Sequence, residues 1–198
     1  MHRVAAALVA ALAWAGLAVR LGVSYRATGD VLVALWAMAR FFTVLTNLVV
    51  AVMMTLLAAG RRVSASTQAG VTLAIILVAV IYVLLLRHEL TGAAYVANAL
   101  LHYIVPTAAA MYWLAFGPKV GLRWRSPFIW ILYPLAYFAY VLVRGSIEGR
   151  YPYPFMNVGA LGVERVLLNA VAIAVAFLLA GLGMVAIGRS AGRGRALG

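Results

Sequence analysis

Apolar residues fall in long, nearly unbroken stretches along this chain, separated by short segments that carry charge, glycine or proline. The stretches lie near Val4–Val23, Val33–Ala59, Ala69–Leu86, Tyr95–Phe116, Pro127–Ile147 and Arg165–Ile187. Each approaches or exceeds the ~20 residues that a helix needs to cross a hydrocarbon layer. Their apolar character is continuous rather than alternating, so they predict helices and not barrel strands, since a backbone in lipid must satisfy its own hydrogen bonds. The connections are short, which predicts antiparallel neighbours. The expected architecture is all-α: a polytopic membrane protein with a six-transmembrane-helix bundle over 1–187 and a basic Gly/Arg-rich tail at 188–198.

Composition agrees with the pattern. Of 198 residues, 67% are hydrophobic and 10% charged, against roughly 45–50% and 25% in a soluble domain. That excess excludes an ordinary soluble fold. The lack of cysteine excludes a disulfide framework, a thiolate metal site and a cysteine nucleophile. A net charge of +12 would suggest nucleic acid in a soluble chain, but its distribution here encodes topology, and no nucleic-acid partner is expected. Arg3, Arg61, Arg62, Lys119, Arg123, Arg125, Arg189, Arg193 and Arg195 fall in segments without one acid. Asp30, Glu89, Glu148 and Glu164 all fall on the other side, with Arg20, Arg26, Arg87, Arg144, Arg150 and Arg165. The positive-inside rule then places both termini in the cytoplasm. A cleaved signal peptide ending near Ala13-Trp14-Ala15 is the alternative for the first stretch, although the apolar run continues to Val23. The excess of arginine over the single lysine, with abundant alanine, points to a GC-rich bacterial genome and so to a bacterial plasma (inner) membrane.

Polar groups inside spans are costly, and by default they mark functional sites. In the second span Arg40, Thr43 and Asn47 stand at i, i+3 and i+7, which puts them on one helix face. In the fourth, Asn98 and His102 stand at i and i+4, followed by Pro106, which can open the local hydrogen-bond ladder. The fifth carries Tyr133, Tyr137, Tyr140 and Arg144 as one stripe. With the expected topology, all three faces lie in the outer half of the bilayer. A threonine hydroxyl needs a neighbouring base to become a nucleophile, and imidazole suits that work. Thr43 and His102 are therefore candidates for an acyl-transfer pair. Arg40 or Arg144 would hold a substrate carboxylate or phosphate, and Asn47, Asn98, Tyr137 or Tyr140 would donate to a developing oxyanion. The competing reading is structural: asparagine and histidine as interhelical glue, threonine bonded to its own helix, arginines snorkelling, tyrosines packing. Neither a metal nor another cofactor is expected, because the histidines are scattered and the only lysine, Lys119, lies in a loop.

Three stretches together resemble the androgen-induced family of transmembrane threonine hydrolases, and most of all its bacterial six-span branch. Arg40-Phe41-Phe42-Thr43-Val44-Leu45-Thr46-Asn47-Leu48 is similar to the family's basic-x-x-Thr segment followed by Asn-Leu. Asn98-Ala99-Leu100-Leu101-His102 with Pro106 is similar to its Asn-x-x-x-His stretch, and Gly149-Arg150-Tyr151-Pro152-Tyr153-Pro154-Phe155 to its Gly-x-x-x-Tyr-Pro-Phe loop. The likeness covers spans two to six in order, about 150 residues. It implies an intramembrane lipid-ester hydrolase with Thr43 as nucleophile and His102 as the other essential residue. Thr46, directly before Asn47, is the alternative hydroxyl. Animal members act on fatty acid esters of hydroxy fatty acids, so the implied partner is a lipid or fatty-acyl substrate in the bilayer. The Tyr- and Pro-rich segment from Glu148 to Val158 is a candidate lid over the site. A non-catalytic lipid or small-molecule carrier using the same cavity is the rival expectation. None of these patterns specifies an oligomeric state.

Overall fold

A computed structural model describes the backbone of residues 1–194 and the side chains of residues 1–190. The Arg193 side chain and Arg195, both counted in the basic tail, lie outside the described residues. Among the described residues the secondary structure is all helical. The helices are α1 (His2–Thr28), α2 (Val31–Met38), α3 (Phe42–Ala58), α4 (Ala65–Ile81), α5 (Gly92–Ala99), α6 (Val105–Phe116), α7 (Ser126–Trp130), α8 (Leu132–Glu148) and α9 (Val158–Gly194). A π turn at Tyr82–Leu86 extends α4, another at Leu100–Ile104 joins α5 to α6, and a 3₁₀ turn at Pro154–Met156 precedes α9. Five helical segments are long and apolar enough to cross a membrane, or six if the bent pair α2–α3 counts as one. Their outward faces carry large apolar side chains, Leu84, Met111, Leu132, Leu168 and Leu179 among them. In water these would be a liability, whereas in lipid they face their own kind.

Local chemistry sets several ends. Asp30 caps α2, its Oδ1 accepting from the Val33 N–H at 2.9 Å, and Ser64 caps α4, its Oγ accepting from the Thr67 N–H at 3.0 Å. In α9 the helix is interrupted at Gly162 (φ 77°, ψ 160°), a conformation that side chains exclude. The helix continues through the start of the basic tail to Gly194.

The second expected span is not one helix. The Arg40 and Phe41 amides close tight bonds to Ala37 and Met38, Phe41 is extended (φ −95°, ψ 125°), and α3 starts again at 98° to α2. The break falls where an arginine interrupts the apolar run. Arg40 therefore belongs to the turn and not to the helix face that carries Thr43 and Asn47, which corrects the spacing argument. The expected depth of Thr43 changes with it, since the residues of α2 do not run along the α3 axis.

The chain divides into two compact units, Met1–Pro118 and Lys119–Gly198. The division follows Gly117-Pro118 and a stretch without regular helix before α7. In the first unit α1 packs chiefly on α3 and also meets α2, α5, the Leu100–Ile104 turn and α6, while α4 packs on α3 and α6. Ala6, Ala10, Ala13 and Gly16 form the buried stripe of α1, small enough for close helix approach. The Trp14 Nε1–H donates to Thr55 Oγ1 at 3.1 Å and Arg3 Nε to the Ala58 carbonyl at 3.1 Å, fastening the far end of this pair. In the second unit α7 packs on α8 and α9, and the 3₁₀ turn packs on α9.

Candidate functional site

Thr43 is the second residue of α3, in the turn where aligned peptide dipoles leave partial positive charge. Its Oγ lies 3.2 Å from Nε2 of His102, which is carried by the π turn between α5 and α6. Nδ1 of the same ring lies 3.2 Å from the Asn98 carbonyl oxygen. A carbonyl only accepts, so Nδ1 carries the proton, and Nε2 keeps the lone pair that meets the Thr43 hydroxyl. That is the tautomer a general base needs. Thr43 is buried and His102 half-buried.

The π turn that holds His102 has a traceable cause. The Val105 N–H bonds to the Leu100 carbonyl, five residues back, in place of Leu101. Continuing the π register would give the Leu101 carbonyl to residue 106, but Pro106 has no N–H. Two features of one helix thus deprive a buried carbonyl of its backbone donors, and leaving such a group unmade costs about 1–3 kcal/mol. Asn47 supplies the missing donor from α3: its Nδ2 donates to the Leu101 carbonyl at 3.1 Å and to the Thr43 carbonyl at 2.8 Å. One buried amide therefore ties the backbone of the nucleophile candidate to the residue next to the base candidate. Asn47 was expected to donate to an oxyanion. With both amide hydrogens engaged and the residue fully buried, its role here is to hold the two helices in register. Asn98 likewise acts through its carbonyl on the His102 ring.

Two further groups complete the setting, and sequence reasoning missed both. The Tyr82 ring, buried at the start of the other π turn, lies 4.0 Å from the His102 ring centroid at an interplanar angle of 31°. This π face can stabilise positive charge on the imidazole. Gly16 of α1 is where the π turn comes closest: an added Cβ would meet Leu101 Cδ2 at 2.8 Å and Leu100 Cβ at 3.0 Å. A heptad-like scan cannot find Tyr82, whose partner lies on another helix. Gly16 left only the weak signal of a glycine in an alanine-rich stripe.

The remaining candidates lie in the second unit. Arg144 is buried on α8, with Nε donating to Glu148 Oε1 at 2.8 Å and Nη1 to Tyr140 Oη at 2.7 Å. Tyr137 is buried one turn before Tyr140, their ring centroids 6.3 Å apart. Arg144 was expected to hold a substrate anion, yet a carboxylate of its own helix already occupies its Nε. In the candidate lid the Tyr153 and Phe155 rings stack at 5.3 Å, Tyr151 packs on Gly145, and Asn169 Nδ2 donates to the Phe155 carbonyl at 3.0 Å. Among the described residues no group of three histidine or acidic side chains could hold a metal ion. No protein-family model, functionally described protein or solved structure matches the chain.

Proposed function

We propose that this chain is an intramembrane hydrolase of lipid esters that uses Thr43 as nucleophile and His102 as general base. The observation that carries the reading is the 3.2 Å approach of Thr43 Oγ to His102 Nε2, on a ring whose other nitrogen donates to a fixed carbonyl. His102 Nε2 takes the hydroxyl proton as Thr43 Oγ attacks the ester carbonyl carbon. The tetrahedral intermediate collapses, the C–O bond to the alcohol breaks, and Nε2–H returns the proton to the departing alkoxide. Water, deprotonated by His102, then attacks the acyl-threonine, releasing a fatty acid and restoring the hydroxyl. The imidazolium of each half-reaction is supported by the Asn98 carbonyl at Nδ1 and by the Tyr82 π face. The positive end of α3 favours charge developing on or next to Thr43 Oγ.

The resemblance of the Thr43, His102 and Tyr-Pro-Phe stretches to the androgen-induced family supports the same reaction, with fatty acid esters of hydroxy fatty acids or related lipids as substrates. The charge distribution supports both termini in the cytoplasm, and the excess of arginine over lysine with abundant alanine supports a bacterial inner-membrane protein. The test is labelling of the purified protein by a fluorophosphonate probe, alongside release of fatty acid from a lipid ester. Labelling and hydrolysis are expected in the wild type and lost in Thr43→Ala and His102→Ala at unchanged melting temperature. A well-folded wild type that neither labels nor hydrolyses would leave the non-catalytic carrier as the better reading, and a Thr43→Ala variant that still does both would move the nucleophile to another hydroxyl such as Thr46.

A further inference from the structure

The hydroxyl–imidazole pair leaves one charge of the first unit unused. Arg20 stands on α1, eight residues before its last residue Thr28 and so about 12 Å along the axis, inside a span apolar enough to cross a membrane. A guanidinium on so apolar a helix calls for a partner. Among the described residues no carboxylate pairs with it: Asp30 caps α2 with its Oδ1, and Glu148 is held by Arg144. The guanidinium carbon instead lies 5.5 Å from the ring centroid of Phe41. Phe41 is the residue on which α3 begins, two before Thr43. A second cation, Arg40, occupies the turn just before Phe41, and the first turn of α3 contains no acid. The Arg20 charge, half-buried against the residue on which α3 begins and without a carboxylate of the described chain upon it, fits an anion that arrives with the ligand.

We propose that Arg20 is the anion-binding residue of the Thr43 site, taking the carboxylate or phosphate oxygens of a single-chain lipid. For the ester it rests on the hydrolase reading; for the anion it does not, because binding needs no turnover. Sequence reasoning gives this part to Arg40 or Arg144 and treats Arg20 as a topology marker near the end of a first span that stops at Val23. The Phe41 ring holds the guanidinium by a cation–π contact, which orders the fork before an anion binds.

The test uses the full-length Thr43→Ala protein in neutral detergent, so that nothing turns over, with radiolabelled oleate, oleoyl lysophosphatidate and monoolein as probes. At least one anionic probe is expected to bind ten times or more tightly than monoolein, and Arg20→Gln to erase that preference while leaving monoolein unchanged. Loss confined to oleate assigns a carboxylate, and loss confined to the lysophosphatidate assigns a phosphate. Arg20→Lys, which keeps the charge without the planar fork, is expected to weaken anion binding several-fold, and it carries the test alone if Arg20→Gln does not fold. The proposal is overturned if neither Arg20→Gln nor Arg20→Lys changes anion affinity, if monoolein is weakened equally, or if no anion binds. Arg20-dependent binding in a protein whose wild type hydrolyses nothing would remove the hydrolase reading and keep this site. Hydrolysis together with anion affinity indifferent to Arg20 would do the reverse.

Discussion

Each unit holds a polar cluster, in one with bonds along a single helix and in the other with bonds between helices. In the second unit Tyr140, Arg144 and Glu148 are stacked at i, i+4 and i+8 on α8, and the bonds between them stay within that helix. In the first, Thr43 and Asn47 of α3 bond to His102 and to the Leu101 carbonyl, 59 and 54 residues away. Bonds along one helix form as the helix does and need no second element to set their geometry. A cluster that spans helices exists only in the assembled unit, so its geometry is set by packing and can be held to the tolerance that proton transfer demands. Polar residues in an apolar span are thus better sorted by where their partners lie than by how costly they are to bury.

That contrast predicts the largest effects for the cross-helix pair. Thr43→Ala or His102→Gln should lower ester hydrolysis by about 10³-fold or more, whereas Arg144→Gln should leave kcat near wild type. Thermal melts in the same detergent should invert the order: little change for Thr43→Ala and a clear loss for Arg144→Gln, which removes the cation that Glu148 and Tyr140 share. Should Thr43→Val instead lower the melting temperature strongly while the folded fraction stays active, Thr43 is glue and the contrast collapses.

Next in size is the Asn47 tie. Asn47→Leu leaves the Leu101 carbonyl without its donor, and we expect a loss of roughly 1–3 kcal/mol, with kcat reduced about 10–100-fold. The origin of the tie supplies a sharper experiment. Pro106→Ala restores an N–H that can reach Leu101, so the cost of Asn47→Leu should shrink by about 0.5–1.5 kcal/mol in that background. A double-mutant cycle of denaturation energies reads the coupling, and strict additivity would show that the orphaned carbonyl is not what Asn47 serves.

These predictions also mark what was legible in the sequence. The helical spans were readable because continuous apolarity is a composition signal, and Asn98, His102 and Pro106 could be grouped by spacing alone. The break between α2 and α3 was not, since Val33–Ala59 reads as one run; Arg40 in its middle was the available sign, and it looked like a member of the helix face. The roles of Asn47 and Asn98 were hidden for a different reason. Both act through backbone carbonyls, Leu101 and Asn98 itself, and side-chain periodicity is silent about which carbonyls a π turn leaves open. Tyr82, Arg20 and Gly16 owe their places to packing between helices distant in sequence, which no pattern along one helix records.

A smaller effect should come from Gly16→Ala. The new methyl meets Leu101 Cδ2, a movable end, but also Leu100 Cβ, which the π turn fixes. Relief requires the turn to withdraw from α1 by a few tenths of an ångström, at a cost of about 1 kcal/mol, the low end for overpacking. Because His102 rides on that turn, kcat should fall more than KM rises. A variant with lowered stability but unchanged kcat would mean that the turn yields without moving the ring.

The smallest effect tests the ion pair along α8. Glu148→Gln keeps an oxygen for the Arg144 Nε to donate to and removes only the charge. Glu148 stands at the last residue of α8 with its side chain 22% exposed, so solvent screens much of what the pair is worth. A stability loss of about 0.5–1 kcal/mol is expected, shrinking further at high salt, with hydrolysis unaffected. If hydrolysis drops as far as it does in Asn47→Leu, an ion pair along one helix is taking part in chemistry after all, and bonds along a helix against bonds between helices no longer separate structure from function in this molecule.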